Sequence, residues 1–178
     1  MKIRAKLFNS ILFVFAVVLV VGCKTGAKSR LKKKDSTLLL CFLESAPGLG
    51  DKTMPVEVGR TKKVNLVVAS KPVITQNEVL NAEAWDTADG GVAIRLELDR
   101  IGRRQLEIFS VLHRGKRMAV QAHFPDARWI DVVPFDQRLS DGILILYPDA
   151  SPEETDRIVK GLNLVAEAIE KDGDRDEE

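Results

Sequence analysis

The sequence predicts an α+β domain, a mixed, mainly antiparallel sheet with about three helices packed on one side. Short runs alternate apolar with polar residues, as half-buried strands do. Two Ser/Thr-x-x-Glu boxes, at Thr75 to Glu78 and Ser151 to Glu154, each stand before an apolar stretch as helix starts do. The runs follow in the order β, β, α, β, α, β, β, β, α, which suits strands and helices in separate layers around one core.

Each element has its own local reason. Thr37-Leu38-Leu39-Leu40-Cys41-Phe42-Leu43 is a continuous apolar run of strand length, suited to a central strand buried on both faces. Ala46-Pro47-Gly48-Leu49-Gly50-Asp51 breaks it as a loop. Val64, Leu66 and Val68 alternate with Lys63, Asn65 and Val67 as a second strand. At Ile74-Thr75-Gln76-Asn77-Glu78-Val79 the spacing predicts a capped helix running to about Ala84, with Ile74 stapled on Val79.

Gly90-Gly91 makes the next turn, and Val92, Ile94, Leu96 and Leu98 form a strand with one wet face. Asp99 is placed to cap a helix containing Ile101, Leu106, Ile108, Phe109 and Leu112, closed by Gly115. Met118, Val120, Ala122 and Phe124 alternate as a strand, and residues 128–133 return as its hairpin partner. Ile143-Leu144-Ile145-Leu146 is another buried strand. Pro152 then begins a helix whose Ile158, Leu162, Val165 and Ile169 share one face.

At 178 residues, 45% hydrophobic and 30% charged, the chain can fill one ordinary core rather than two. A formal net charge of +1 argues against nucleic acid as a partner. The charges are nevertheless segregated, with Lys2, Arg4 and Lys6 at the start, a basic stretch at 24–34 and an acidic tail at 171–178.

The basic start and the apolar residues 11–21 read as a signal peptide spanning 1–22, the run being short for a bilayer span of roughly 20 residues. Val20-Val21-Gly22-Cys23 resembles the bacterial lipobox, whose cysteine thiolate takes a diacylglycerol group before cleavage. The expectation is therefore a lipid on Cys23 and membrane attachment through it, followed by a basic linker at 23–35 and a domain over 36–170. That linker is either solvated or drawn to an anionic leaflet. Cys41, inside an apolar run, reads as a small core residue.

Four segments together resemble a known family. They are Lys71-Pro72-Val73-Ile74-Thr75, Leu96-Glu97-Leu98-Asp99-Arg100-Ile101-Gly102, His113-Arg114-Gly115-Lys116-Arg117-Met118-Ala119-Val120, and Gly142 with Pro148-Asp149-Ala150-Ser151-Pro152-Glu153-Glu154. They are similar to the head subdomain in the large periplasmic region of SecD, the accessory subunit of the protein-export translocase. The likeness spans roughly one domain's length, from Val64 to Asn163. It implies the head's fold, a periplasm-facing place in the cell envelope, and a binding or scaffold role toward exported polypeptides or envelope proteins. Nothing after Val21 is apolar for long enough to span a membrane, so it does not imply a proton-driven motor. Lys24 directly after Cys23 points to the outer rather than the inner membrane.

The residues do not suggest an enzyme, a cofactor or a metal site. His113 and His123 lack Cys, His or Asp at ligand spacing, and Ser110, Asp99 and His113 have no meaning as a triad without geometry. An envelope hydrolase with an unrecognised site is the alternative reading. For a partner contact the candidates are Trp129 and Arg128 with Phe124, aromatic and cationic groups on one hairpin. Packing of Trp129 into the core competes with that role.

Overall fold

The computed structural model describes residues 35–46 and 52–173. The lipobox, Cys23 and the residues of the basic linker before Asp35 lie outside them, as do residues 174–178 of the acidic tail. Every strand pairing among the described residues is antiparallel. No helix among them is long and apolar enough to cross a membrane.

The first strand, β1 (Leu38–Leu43), shows why one sheet can have two apolar faces. Alternation sends Leu39, Cys41 and Leu43 into one cluster of buried residues and Phe42 into another. Its partners repeat the division. β7 (Arg117–His123) gives Met118, Val120 and Ala122 to the first cluster and Ala119 to the second. With β4 (Ile74–Thr75) and β8 (Ala127–Pro134) these strands make a four-stranded sheet in the order β4-β1-β7-β8. The doubly buried central strand read from the sequence is β1.

One face of that sheet is covered by a hairpin of β2 (Thr53–Val58) and β3 (Val64–Ala69), which contributes Val58, Leu66 and Val68. β2 is an element the sequence reading missed. The other face builds the main core with a second sheet, β5 (Val79–Asp86), β6 (Val92–Leu98) and β9 (Ile143–Leu146), in the order β5-β6-β9. Two helices join this core, α1 (Arg100–Leu112) through Leu106 and α2 (Pro152–Gly173) through Ile158 and Leu162.

Among the described residues the fold is therefore mixed and antiparallel, with two helices where about three were expected and separate sheets in place of one. The helix expected from Thr75 to Ala84 is a single 3₁₀ turn, Gln76–Glu78, followed by β5. Its capping box is real: the Thr75 N–H donates to Glu78 Oε2 at 2.7 Å, and the Asn77 N–H donates to Thr75 Oγ1 at 3.3 Å. A box satisfies the donors of one turn as well as those of a long helix. Beyond it, Val79 pairs with Leu98 and Asp86 with Val92, and the β6 ladder overrides helix propensity.

The other caps form as read. Asp99 Oδ1 accepts the Gly102 N–H at 2.7 Å, a cap of the kind that contributes about 1 kcal/mol. Ser151 and Glu154 close the second box, Glu154 N to Ser151 Oγ at 3.2 Å and Ser151 N to Glu154 Oε2 at 2.9 Å. On α2 the buried side fades along the helix: Ile158 and Leu162 are fully buried, whereas Ile169 is exposed.

Candidate protein-interaction site

A β-bulge decides where the hairpin residues point. The register of β7 and β8 slips between the Val120–Asp131 and Gln121–Trp129 pairs, which leaves Ile130 unpaired in the ladder. The Ile130 carbonyl is then free to accept the Asp149 N–H at 2.9 Å. Asp131 turns its carboxylate toward the end of β9 and accepts the Tyr147 N–H at 2.7 Å. Burial pushes this carboxyl up to about 6, against the lowering effect of the Tyr147 and Val132 N–H groups.

The three residues expected to form a contact are divided by this geometry. Phe124 is buried in the main core. Trp129 lies half-buried on the opposite face of the sheet, where it meets Phe42 edge-on at 5.1 Å between ring centroids. Arg128 stays with Phe124, its guanidinium 5.1 Å from the ring centroid.

Arg128 also turns inward. Its Nη1 donates to Glu154 Oε1 at 2.9 Å, and its Nη2 donates to the Asp149 carbonyl at 3.2 Å. Arg60 reaches the same Glu154 oxygen at 3.0 Å. The Asp149 carboxylate accepts the backbone N–H groups of Arg60 and Thr61, the latter at 2.7 Å. This network ties the turn of the β2–β3 hairpin, the β7–β8 hairpin and the start of α2 together. The hydrogen bond from Arg128 is the main cause holding the Glu154 carboxyl below its ordinary value.

A groove that sequence reasoning did not find lies between β5 and the C-terminal half of α2. It encloses about 600 Å³ and is lined by Asn77, Leu80, Asn81, Asn163, Ile169 and Glu170 among others, with no basic residue in its wall. Asn163 forms its inner end, with Oδ1 accepting the Ala82 N–H at 2.8 Å and Nδ2 donating to the Ala82 carbonyl at 2.9 Å. A side-chain amide thus pairs with the outer edge of β5 as a neighbouring strand would. The register of β5 slips between Val79 and Asn81, which leaves Leu80 outside the ladder and 58% exposed. Ile169, also exposed, lines the same groove.

The groups that an enzyme would use have ordinary structural settings. His113 is the C-cap of α1, with its ring 6.1 Å from that of Phe109, and burial followed by the Lys116 charge lowers its pKa. His123 Nε2 lies 3.1 Å from Gln121 Oε1. The Cys41 thiol is fully buried and pushed up to about 12, chiefly by desolvation. Among the described residues no group of His, Cys, Asp and Glu is arranged to hold a metal ion.

No family model matches the chain, and no curated protein matches it. Solved structures do. The chain matches one described as "Structure and function of a membrane component SecDF that enhances protein export", with a TM-score of 0.54 at 15% identity over 82% of this chain and 71% of that one. The SecD-head-like fold is thereby shown. A second match, "Crystal structure of SecDF in Super-membrane-facing form", has the same TM-score and identity over 80% of this chain and 21% of that one. The SecD-like motif at 96–102 gains a physical meaning here. Asp99 caps α1, and a Cβ at Gly102 would stand 2.8 Å from that of Glu78, so glycine lets the helix start against the capped turn.

Proposed function

We propose that this chain is a non-enzymatic binding module, tethered in the cell envelope through a lipid on Cys23, that holds extended segments of exported polypeptide in the groove between β5 and α2. The observation that carries the reading is the groove itself. Leu80 and Ile169 offer apolar contact along an exposed channel, and the amides of Asn77 and Asn81 keep hydrogen-bonding capacity for a backbone beyond their single bonds with Gln76 and Glu83. Such a combination suits chains recognised by their extended backbone rather than by one sequence. Glu170, with no base in the wall, favours segments carrying Lys or Arg, whereas Glu167 is paired with Lys171 at 3.4 Å. The fold supports the reading, since the similar SecDF is described as enhancing protein export.

A second reading places the contact on the hairpin, where Trp129 is half-exposed beside Arg128. One experiment separates them. A photo-crosslinking amino acid is placed in the full chain at Leu80 in one variant and at Trp129 in another, and products formed in cells are identified by mass spectrometry together with the N-terminal peptide. The groove reading expects exported chains crosslinked from position 80, reduced severalfold by Ile169→Asp, on a protein whose Cys23 carries acyl groups. Crosslinks confined to position 129 would move the site to the hairpin. Exported chains at neither position would overturn the binding reading, and an unmodified Cys23 would overturn the tether.

A further inference from the structure

Helix α1 is apolar on two sides. Leu106 faces the main core, with Gly102 and Ser110 beside it on the buried side. Ile101, Ile108 and Leu112, spaced seven and four apart, line the opposite side, and Val111 lies next to them. These four residues are 42–72% exposed. Ile101, Ile108 and Leu112 thus form an outward ridge on this helix.

The charges around this ridge are one-sided. α1 carries Arg100, Arg103 and Arg104 against a single carboxylate, Glu107, which is paired with Arg138. Arg114 and Lys116 follow the helix. Arg103 donates to the Ser140 carbonyl at 2.8 Å, but Arg100, Arg104 and Arg114 have no ion-pair partner among the described residues. Arg100 and Arg104 fall on the same outward side as Ile108 and Val111 by helical spacing.

We propose that the outward face of α1 lies on an anionic lipid surface, with Ile101, Ile108, Val111 and Leu112 entering the headgroup boundary and Arg100 and Arg104 binding lipid phosphates. An exposed aliphatic face flanked by guanidinium groups without acidic partners matches such a surface, because long arginine stems keep their charge among the headgroups while aliphatic neighbours sink. An open depression of about 400 Å³ lies beside Ile108, Val111 and Leu112, with the Glu107–Arg138 pair at its rim, and the face has no aromatic anchor to specify a protein partner. The face itself stands on the residues of α1 and does not need the tether.

The test uses the full chain carrying Leu112→Trp, a substitution at a position 72% exposed, with the unsubstituted chain giving the background from Trp85 and Trp129. Tryptophan quenching is read in vesicles of brominated phosphatidylcholine with and without phosphatidylglycerol. Vesicle flotation reports attachment of the chain separately. The expected result is quenching specific to Leu112→Trp in the anionic vesicles, weakened by high salt and reduced at least about tenfold in affinity by adding Arg100→Glu and Arg104→Glu. Chains that float without this quenching would overturn the α1 contact and leave the tether intact. Chains that float only with the anionic vesicles, and are quenched there, would uphold the contact and remove the tether. Quenching indifferent to phosphatidylglycerol and to the two arginines would overturn the assignment to an anionic surface. Crosslinking between two α1 helices in the absence of lipid would assign the ridge to a second copy instead.

Discussion

The bulge of β8 changes the chemistry of one residue, Asp131. It is mostly buried at the bulge of β8, and its carboxyl has a folded pKa of about 6 against an ordinary 3.8. The native state therefore holds a proton that the unfolded chain has released between those two values, so this group's contribution to stability falls as pH rises through that window. The size is about 3 kcal/mol at most, from about 1.4 kcal/mol for each unit of pKa difference. Asp131→Asn keeps an acceptor for the Tyr147 N–H and removes the titration. Denaturant unfolding of both proteins from pH 4 to pH 7.5 is expected to show the variant gaining on the wild type by about 2–3 kcal/mol as pH rises. Parallel pH curves would mean that water reaches this carboxylate. The opposite sign applies to Glu44 and Glu154, whose pKa values are lowered by arginine hydrogen bonds and whose contributions are lost as pH falls below the ordinary carboxylate range.

At the scale of elements, close approach matters more than propensity. Gly161 on α2 sits against the chain leading into β1, where an added Cβ would lie 2.6 Å from the Thr37 backbone nitrogen and 2.2 Å from Thr37 Oγ1. Gly161→Ala should improve helix propensity by about 1 kcal/mol, yet overpacking against backbone costs about 1–3 kcal/mol and cannot be relieved by a rotamer change. A net loss of about 1–2 kcal/mol in chemical denaturation is expected; a variant more stable than the wild type would mean that α2 can ride away from β1 freely. Elements of this kind also show where the sequence was legible. Caps at Asp99 and Ser151 and the strands with regular alternation depend on residues a few positions apart, and they form where read. β2 went unseen because Pro55 interrupts the pattern of Met54, Val56 and Val58, although proline is tolerated in such a peripheral strand. The turn after Thr75 was overextended because pairing with β6 is a long-range fact. The groove joins residues near 80 with residues near 165, and its exposed Leu80 depends on a bulge that has no local signal.

For the whole molecule, unequal cores on the two faces of the β4-β1-β7-β8 sheet imply unequal stability. The main core takes residues from both larger sheets and both helices, whereas the β2–β3 side has Phe42, Val58, Leu66, Val68 and Ala119 as its buried members. Opening the hairpin would expose that smaller cluster and break few ties beyond it, among them the bonds from Arg60 and Thr61 to Asp149, the Arg60–Glu154 pair, and the Glu44–Val68 bridge with its Ser45 N–H to Val67 carbonyl contact. Local opening should therefore precede global unfolding there. Native-state amide exchange is expected to be about 10–100-fold faster in β2 and β3 than in β1, β6 and β7. Asp149→Ala removes the carboxylate that holds the hairpin turn, and each lost charge-assisted bond is worth about 1.5–3 kcal/mol when buried and less at this exposed site. It should speed hairpin exchange by a further factor of about ten and leave β5 and β6 unchanged, because their ladder lies in the other sheet. Equal protection across all strands, or an Asp149→Ala effect spread evenly over them, would show instead that the hairpin unfolds only with the whole domain.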